Sequence, residues 1–271
     1  MLPILGYFAA IFIGLALGIL GGGGSILTVP VLVYLMGVSP VLSTAYSLFV
    51  VGSTSVVGAW GYFRKGLVSL RTAVVFLLPS LLAVFAVRKV VLPALPSELF
   101  TVGSLVFTKD LLVLVAFAVL MVVAAAAMIR RPPAEAVLNE VPHQPAFNYP
   151  LVLGIGLVVG TLTGFVGAGG GFLILPALVL GAHLPMKLAV GTSLAIIALN
   201  SLLGFAGDVS TGTPIAWSFL TGFLAFALGG IVLGTYLARF IPGAKLKPAF
   251  GWFTLAMGTF ILTKELLFHH S

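Results

Sequence analysis

The sequence predicts an all-α polytopic membrane protein made of two inverted-topology repeats of five segments each, eight spanning helices plus two short re-entrant or broken helices. Three observations predict it: an extreme apolar composition, ten apolar segments of two length classes, and an internal repeat at a constant offset.

Of 271 residues, 61% are hydrophobic and only 7% charged, with a mean hydropathy of +1.26. Soluble domains carry about a quarter charged residues, and no soluble fold of this length hides so much apolar side chain. The isoelectric point near 9.9 would suggest nucleic acid for a soluble protein. Here the basic residues are read as loop charges that set orientation, and no nucleic-acid partner is expected. The absence of cysteine excludes disulfides, thiolate chemistry and cysteine-based metal or redox sites. The opening run "MLPILGYFAAIFIGLALGIL" has no Lys or Arg ahead of its apolar stretch, so it is expected to stay in the mature protein rather than act as a cleaved signal. His269 and His270 are given no function.

In chain order the apolar segments fall at about 2–20, 26–36, 41–63, 71–92, 108–129, 149–166, 172–182, 185–207, 214–238 and 247–268. Eight have the length of a membrane-spanning helix, about 17–25 residues. Segments 26–36 and 172–182 have 11 residues each, a length suited to a broken or re-entrant half-helix. Between the fifth and sixth segments "RRPPAEAVLNEVPHQPAFNYP" holds five prolines and reads as a surface linker. The domains are therefore an N-terminal transmembrane repeat (1–131), a cytoplasmic linker (132–148) and a C-terminal transmembrane repeat (149–271).

A shift of 146 residues superposes the two halves without gaps. Gly14, Gly18, Gly21, Gly23, Gly24, Leu27 and Pro30 fall on Gly160, Gly164, Gly167, Gly169, Gly170, Leu173 and Pro176. Further on, Ser47, Leu48, Ser55 and Gly58 fall on Ser193, Leu194, Ser201 and Gly204. In all there are 15 identities over the 48 positions from 14 to 61. Chance in so biased a composition would match roughly one position in ten. Five segments per half is an odd number, so the halves run through the membrane in opposite senses.

Charge orients the chain. With alternate loops assigned to two sides, one side receives nine basic residues (Arg64, Lys65, Arg71, Arg130, Arg131, Lys187, Arg239, Lys245, Lys247) and two acids. The other receives Arg88, Lys89, Lys109 and Lys264 against four acids, Glu98, Asp110, Asp208 and Glu265. The basic side is expected to be cytoplasmic, with both termini periplasmic or extracellular.

The glycines divide into two kinds. Gly14, Gly18, Gly160, Gly164 and the series Gly230, Gly234, Ala238 recur every four residues, the spacing that lets membrane helices approach closely. The runs Gly21–Ser25 and Gly167–Gly171 improve no single face and cost a helix about 1 kcal/mol per glycine relative to alanine. Each is followed by a half-length segment with a proline, Pro30 or Pro176. The half-helix begins either near Ser25, with a kink at Pro30, or at Pro30 itself. Irregular backbone at membrane depth survives only where protein buries it or it lines a wet cavity. Free amides at a helix start, with the positive dipole end beside them, bind anions without a charged side chain. Two such breaks related by an inverted repeat are expected to meet near the bilayer midplane.

The candidate binding residues are accordingly Gly22, Gly23, Gly24, Ser25, Gly169, Gly170 and Gly171. The following segments "STAYSLFVVGSTSVVG" and "AVGTSLAIIALNSLLG" add Tyr46, Ser47, Thr192, Ser193 and Asn200. Membrane-helix hydroxyls often bond their own i−4 carbonyl instead, whereas a buried Asn amide in lipid needs partners. Asp208, whose counterpart is Tyr62, has two readings, a proton relay and a boundary loop residue, and the second is preferred. No acid pair or His–carboxylate cluster is spaced for catalysis or metal binding, so no enzyme, cofactor or metal is expected.

The paired glycine-rich breaks followed by proline, the "GTSL" stretch at 191–194 and the duplicated halves resemble the TauE/SafE sulfite-exporter family of membrane permeases. The resemblance covers the chain except the linker near 131–148 and the loop near 93–108. In the first half Ala45-Tyr46-Ser47-Leu48 stands at the matching place, so only the serine and leucine carry over. The resemblance implies transport of small sulfur-containing anions such as sulfite or sulfonates, outward across the bacterial inner membrane. The expected function is therefore a secondary transporter, an exporter, of sulfite or an organosulfonate, with the lipid bilayer as surroundings and homo-oligomerisation left open. The competing readings are an anion channel on the same scaffold and a non-transporting membrane assembly subunit. A cation transporter ranks behind them, because it would usually need an intramembrane acid.

Overall fold

A computed structural model of the chain describes residues 2–96, 98–102, 105–130, 148–166 and 170–268. Gly167, Ala168, Gly169, the linker from 131 to 147, His269 and His270 lie outside the described residues.

Long helices dominate. The first half runs α1 (Leu2–Leu20), α2 (Gly23–Pro30), α3 (Pro40–Phe63), α4 (Leu70–Ala86), a short turn α5 (Leu92–Ala94) and α6 (Lys109–Arg130). The second half runs α7 (Tyr149–Val166), α8 (Gly171–Pro176), α9 (Met186–Ser210), α10 (Trp217–Leu237) and α11 (Gly243–Phe268). Six stretches among the described residues are long and apolar enough to cross a membrane: Pro40–Phe63, Leu70–Ala94, Lys109–Ile129, Tyr149–Val166, Met186–Ser210 and Trp217–Phe240. The two further spans that the sequence predicts coincide with α1, of 19 residues, and α11, of 26.

Among the described residues one element is not helical. Strands β1 (Glu98–Val102) and β2 (Leu105–Thr108) form an antiparallel hairpin with an irregularity between Glu98 and Phe100. It occupies the loop ahead of α6, where "ELFTV" and "LVFT" flank Gly103-Ser104. Strands of four and five residues carry too little alternation to stand out beside apolar helices.

Local chemistry explains the helix ends. Pro40 opens α3 at a position where no intrahelical donor is needed. Ser69 caps α4, its side chain accepting from the Thr72 amide. Asn148 Oδ1 accepts from the Leu151 amide 3.1 Å away at the start of α7. The half-helices begin directly at the glycines and continue through their prolines. Pro30 and Pro176 are each followed by a five-residue π turn, Val31–Leu35 and Ala177–Gly181. Proline lacks an amide and crowds the preceding turn, which disturbs the regular i→i−4 ladder in its neighbourhood.

Helix pairings obey the duplication. α1 packs on α10, as its counterpart α7 packs on α4; α4 packs on α9, as α10 packs on α3. α2 touches α11, as α8 touches α6, while α3 with α9, α6 with α11 and α2 with α8 are pairings of counterparts. Small residues make the closest of these contacts: a Cβ on Gly14 would lie 2.0 Å from the Ala227 carbonyl oxygen, and one on Gly160 2.6 Å from that of Ser80. The helix ends meet as antiparallel neighbours should. At one end Val41 N donates to Asp110 at 3.1 Å and Ala216 N donates to the Tyr46 hydroxyl at 2.8 Å. At the other, Ser69 N donates to Thr192 Oγ1 at 2.9 Å and Tyr62 donates to the Gly18 carbonyl at 3.0 Å.

Candidate functional site

The two glycine breaks converge. A Cβ on Gly22 would fall 2.1 Å from the Gly171 carbonyl oxygen, and one on Gly171 would fall 2.7 Å from Gly22 Cα and 2.8 Å from Ile197. Ile197 lies near the midpoint of α9 (Met186–Ser210), so the contact sits in the interior of the bundle. Only a residue without a side chain permits two main chains to come this close. Entry to each half-helix also needs left-handed backbone, with φ +71° at Gly21 and +65° at Gly170, where a Cβ is costly.

At these starts the first amides lack intrahelical acceptors. Ser25 N donates to the Gly22 carbonyl at 3.2 Å, and both Leu173 N and Ile174 N donate to the Gly170 carbonyl, at 2.9 and 2.8 Å. The amides of Gly23 and Gly24, and of Gly171 and Phe172, precede the first of those bonds. The second helical run extends from Gly171 to Gly181.

Hydroxyls surround the breaks unevenly. Ser25 is buried and donates to the Gly22 carbonyl at 2.7 Å. Ser193 Oγ donates to the Val190 carbonyl at 2.8 Å, and a Cβ on Gly21 would come within 3.0 Å of it. Ser47, the repeat mate of Ser193, is buried with no hydrogen-bond partner among the described residues, as are Ser55 and its mate Ser201. The structure therefore brings Gly22, Gly171, Ser25 and Ser193 to one place, beside Gly23, Gly24 and Gly170, which adjoin them in the chain. Gly169 lies outside the described residues.

Other candidates have separate duties. Thr192 Oγ1 accepts from Ser69 N and so ties α9 to the start of α4. Asn200 Nδ2 donates to Ser80 on α4, while its Oδ1 has no partner among the described residues. The Tyr46 hydroxyl accepts from Ala216 N and lines an open depression of about 470 Å³ with Tyr7, Met36, Ser39 and Phe219. A smaller depression of about 130 Å³ lies at the opposite end, lined by Tyr62, Lys65, Lys187, Thr235 and Arg239.

The sequence reading misses the charged pair. It assigns Arg88 to a loop and Asp208 to a loop boundary, but the structure buries both, at 1% and 5% exposure, and joins Arg88 Nη1 to Asp208 Oδ2 at 3.1 Å. The α9 helix carries on to Ser210 and the helical path from α4 through Val91, so both charges fall inside helices. The neighbouring Lys89 gives Arg88 the look of a boundary residue. No local signal marks the pair, because its partners stand 120 residues apart in the chain.

The family model described as "Sulfite exporter TauE/SafE" matches residues 6–261. Two proteins of Xylella fastidiosa, from strains 9a5c and Temecula1, are each named "Probable membrane transporter protein". They are 31% and 32% identical to this chain over 93% of its length and 92% of their own. "Probable membrane transporter protein YunE" of Bacillus subtilis (strain 168) is 27% identical over 88% of both chains. No solved structure matches this chain.

Proposed function

Because the chain belongs to the TauE/SafE sulfite exporter family and is a multi-pass membrane transporter, we propose that it is a secondary transporter that exports sulfite or an organosulfonate across the inner membrane. The anion binds near the bilayer midplane between the two half-helix starts, on the amides of Gly23, Gly24 and Gly171 and the hydroxyls of Ser47 and Ser193. Gly170 completes the second cradle. The single observation that carries this reading is the approach of Gly22 to Gly171 beside Ile197.

The wider arrangement belongs to the same proposal. The two halves are inverted repeats with eight crossings, which the exchange of α1–α10 for α7–α4 supports. The termini lie outside and the linker lies in the cytoplasm. Removing the buried Arg88 and Asp208 from the loop charges leaves the outer side balanced, three basic residues against three acids, and the nine-to-two excess of the cytoplasmic side intact. The basic depression at Lys65, Lys187 and Arg239 is then the cytoplasmic mouth, where an anion gathers before entry. The depression at Tyr46 is the outer mouth. A negative interior drives an anion outward by about 2.3 kcal/mol per charge per 100 mV, so export needs no coupled ion.

Proteoliposome flux tests this. Saturable sulfite efflux with accelerated counterflow is expected; flux without saturation or counterflow identifies a channel. Sulfite at 100 times its dissociation constant should raise the stability of the purified protein by about 2.7 kcal/mol. That stabilisation should fall in S47A/S193A. No flux and no stabilisation by sulfite, methanesulfonate or taurine in folded protein overturns the reading.

A further inference from the structure

The seam between α4 and α9 carries two polar layers. Asn200 bonds Ser80 in one, and Arg88 bonds Asp208 in the other. On both helices the layers are eight residues apart, about 12 Å along the axis.

The repeat makes the seam unusual. Its counterpart between α3 and α10 places Phe226 where Ser80 stands, Gly234 where Arg88 stands, Thr54 where Asn200 stands and Tyr62 where Asp208 stands. None of those four positions is charged, so the scaffold packs the matching seam without an ion pair. Arg88 further sits in a π turn, Val87–Val91, that follows α4, whereas α10 is regular through Leu237. π turns are rare and concentrate at functional positions.

The bonding of Arg88 is one-sided. Nη1 alone donates, to Thr44 Oγ1 at 3.0 Å and to Asp208 at 3.1 Å (Oδ2) and 3.4 Å (Oδ1). Nε and Nη2 have no partner among the described residues, although Arg88 is 1% exposed. Unpaired donors of a buried cation are costly. The two that are free form the edge whose parallel N–H groups fit a carboxylate or a sulfur or phosphorus oxyanion in a bidentate fashion. Asp208 meanwhile holds the guanidinium from the other side.

We propose that the Nε–Nη2 edge of Arg88 is a second oxyanion site, in the α4–α9 seam and separate from the glycine breaks. It takes one small oxyanion, sulfite or a sulfonate, and Asp208 is the positioning residue that keeps the fork aimed. The site stands on its own observations and does not depend on the half-helix site.

Equilibrium dialysis of the purified full-length protein with radiolabelled sulfite tests it, using R88K, R88Q/D208N and S47A/S193A. R88K keeps the charge and loses the fork; R88Q/D208N removes both charges with little change of shape. The expected result is that R88Q/D208N binds one sulfite fewer per chain than wild type, and that R88K binds that sulfite at least about tenfold more weakly. S47A/S193A should keep it. A purely structural ion pair would lower thermal stability in the Arg88 variants and leave sulfite binding unchanged. Wild-type sulfite binding by either folded Arg88 variant overturns the proposal, as does a wild-type protein that binds no sulfite. If binding is lost only in S47A/S193A, this site falls and the half-helix site stands; if only in the Arg88 variants, the reverse holds.

Discussion

Gly22 and Gly171 touch main chain to main chain, so that a Cβ on Gly22 would overlap the Gly171 carbonyl oxygen at 2.1 Å. Neither neighbour is a flexible side chain that could swing away. Gly22→Ala is therefore expected to push the half-helices apart, lower stability by about 1–3 kcal/mol and stop sulfite flux. Gly229→Ala, whose Cβ meets nothing within 4 Å, is the control: thermal stability should stay level or rise slightly, with flux retained.

Backbone handedness separates from packing at Gly66. Its φ is +68° and no atom lies within 4 Å of an added Cβ, so Gly66→Ala should cost about 1–2 kcal/mol through conformation alone. A denaturation series in detergent comparing Gly66→Ala with Gly22→Ala should show the first stable enough to transport and the second inactive. Equal loss of flux in both would contradict the packing argument.

Ser47 offers a cleaner dissection of binding from stability. Its hydroxyl is buried without a partner among the described residues, so removing it breaks no hydrogen bond among them and leaves stability near the wild-type value. Ser47→Ala is nevertheless expected to weaken sulfite-induced stabilisation at least several-fold. A variant that melts normally and responds fully to sulfite would remove Ser47 from the site.

Arg88 and Asp208 form a buried pair, and breaking such a pair by removing one partner typically costs about 3–5 kcal/mol because the other charge is left buried and uncompensated. Unfolding of R88Q, D208N and R88Q/D208N should therefore be strongly non-additive, with the double variant more stable than either single one. Additive losses would show that the two side chains do not depend on each other.

Topology is open to direct labelling, because the chain contains no cysteine. Arg64→Cys and Thr211→Cys place single thiols on exposed residues beyond the ends of α3 and α9. A membrane-impermeant maleimide added to intact cells should label the second and spare the first. Labelling of Arg64→Cys alone would reverse the orientation.

Much of this protein is legible in its sequence. Membrane helices must satisfy their own backbone, so apolar run length maps directly onto helix length, and ten predicted segments reappear as ten helical stretches. Consecutive glycines ahead of a proline mark the two breaks for the same reason, since a cost of that kind has no place in a plain spanning helix. The helix pairings of the folded chain follow the same repeat. Three matters were decided only in the folded chain. The first is whether Pro30 starts or interrupts its half-helix; the helix starts at Gly23 and the proline is absorbed by a π turn, a balance set by neighbouring helices. The second is the duty of each hydroxyl. Thr192 and Ser193 are adjacent in sequence, yet one reaches across to Ser69 while the other sits against Gly21, because successive helix positions point about 100° apart. The third is Arg88 with Asp208. They are 120 residues apart, and nothing local in either stretch reveals that a charge at a helix end is buried. Burial there depends on what packs over it, and the covering residue, Thr44, comes from a third helix.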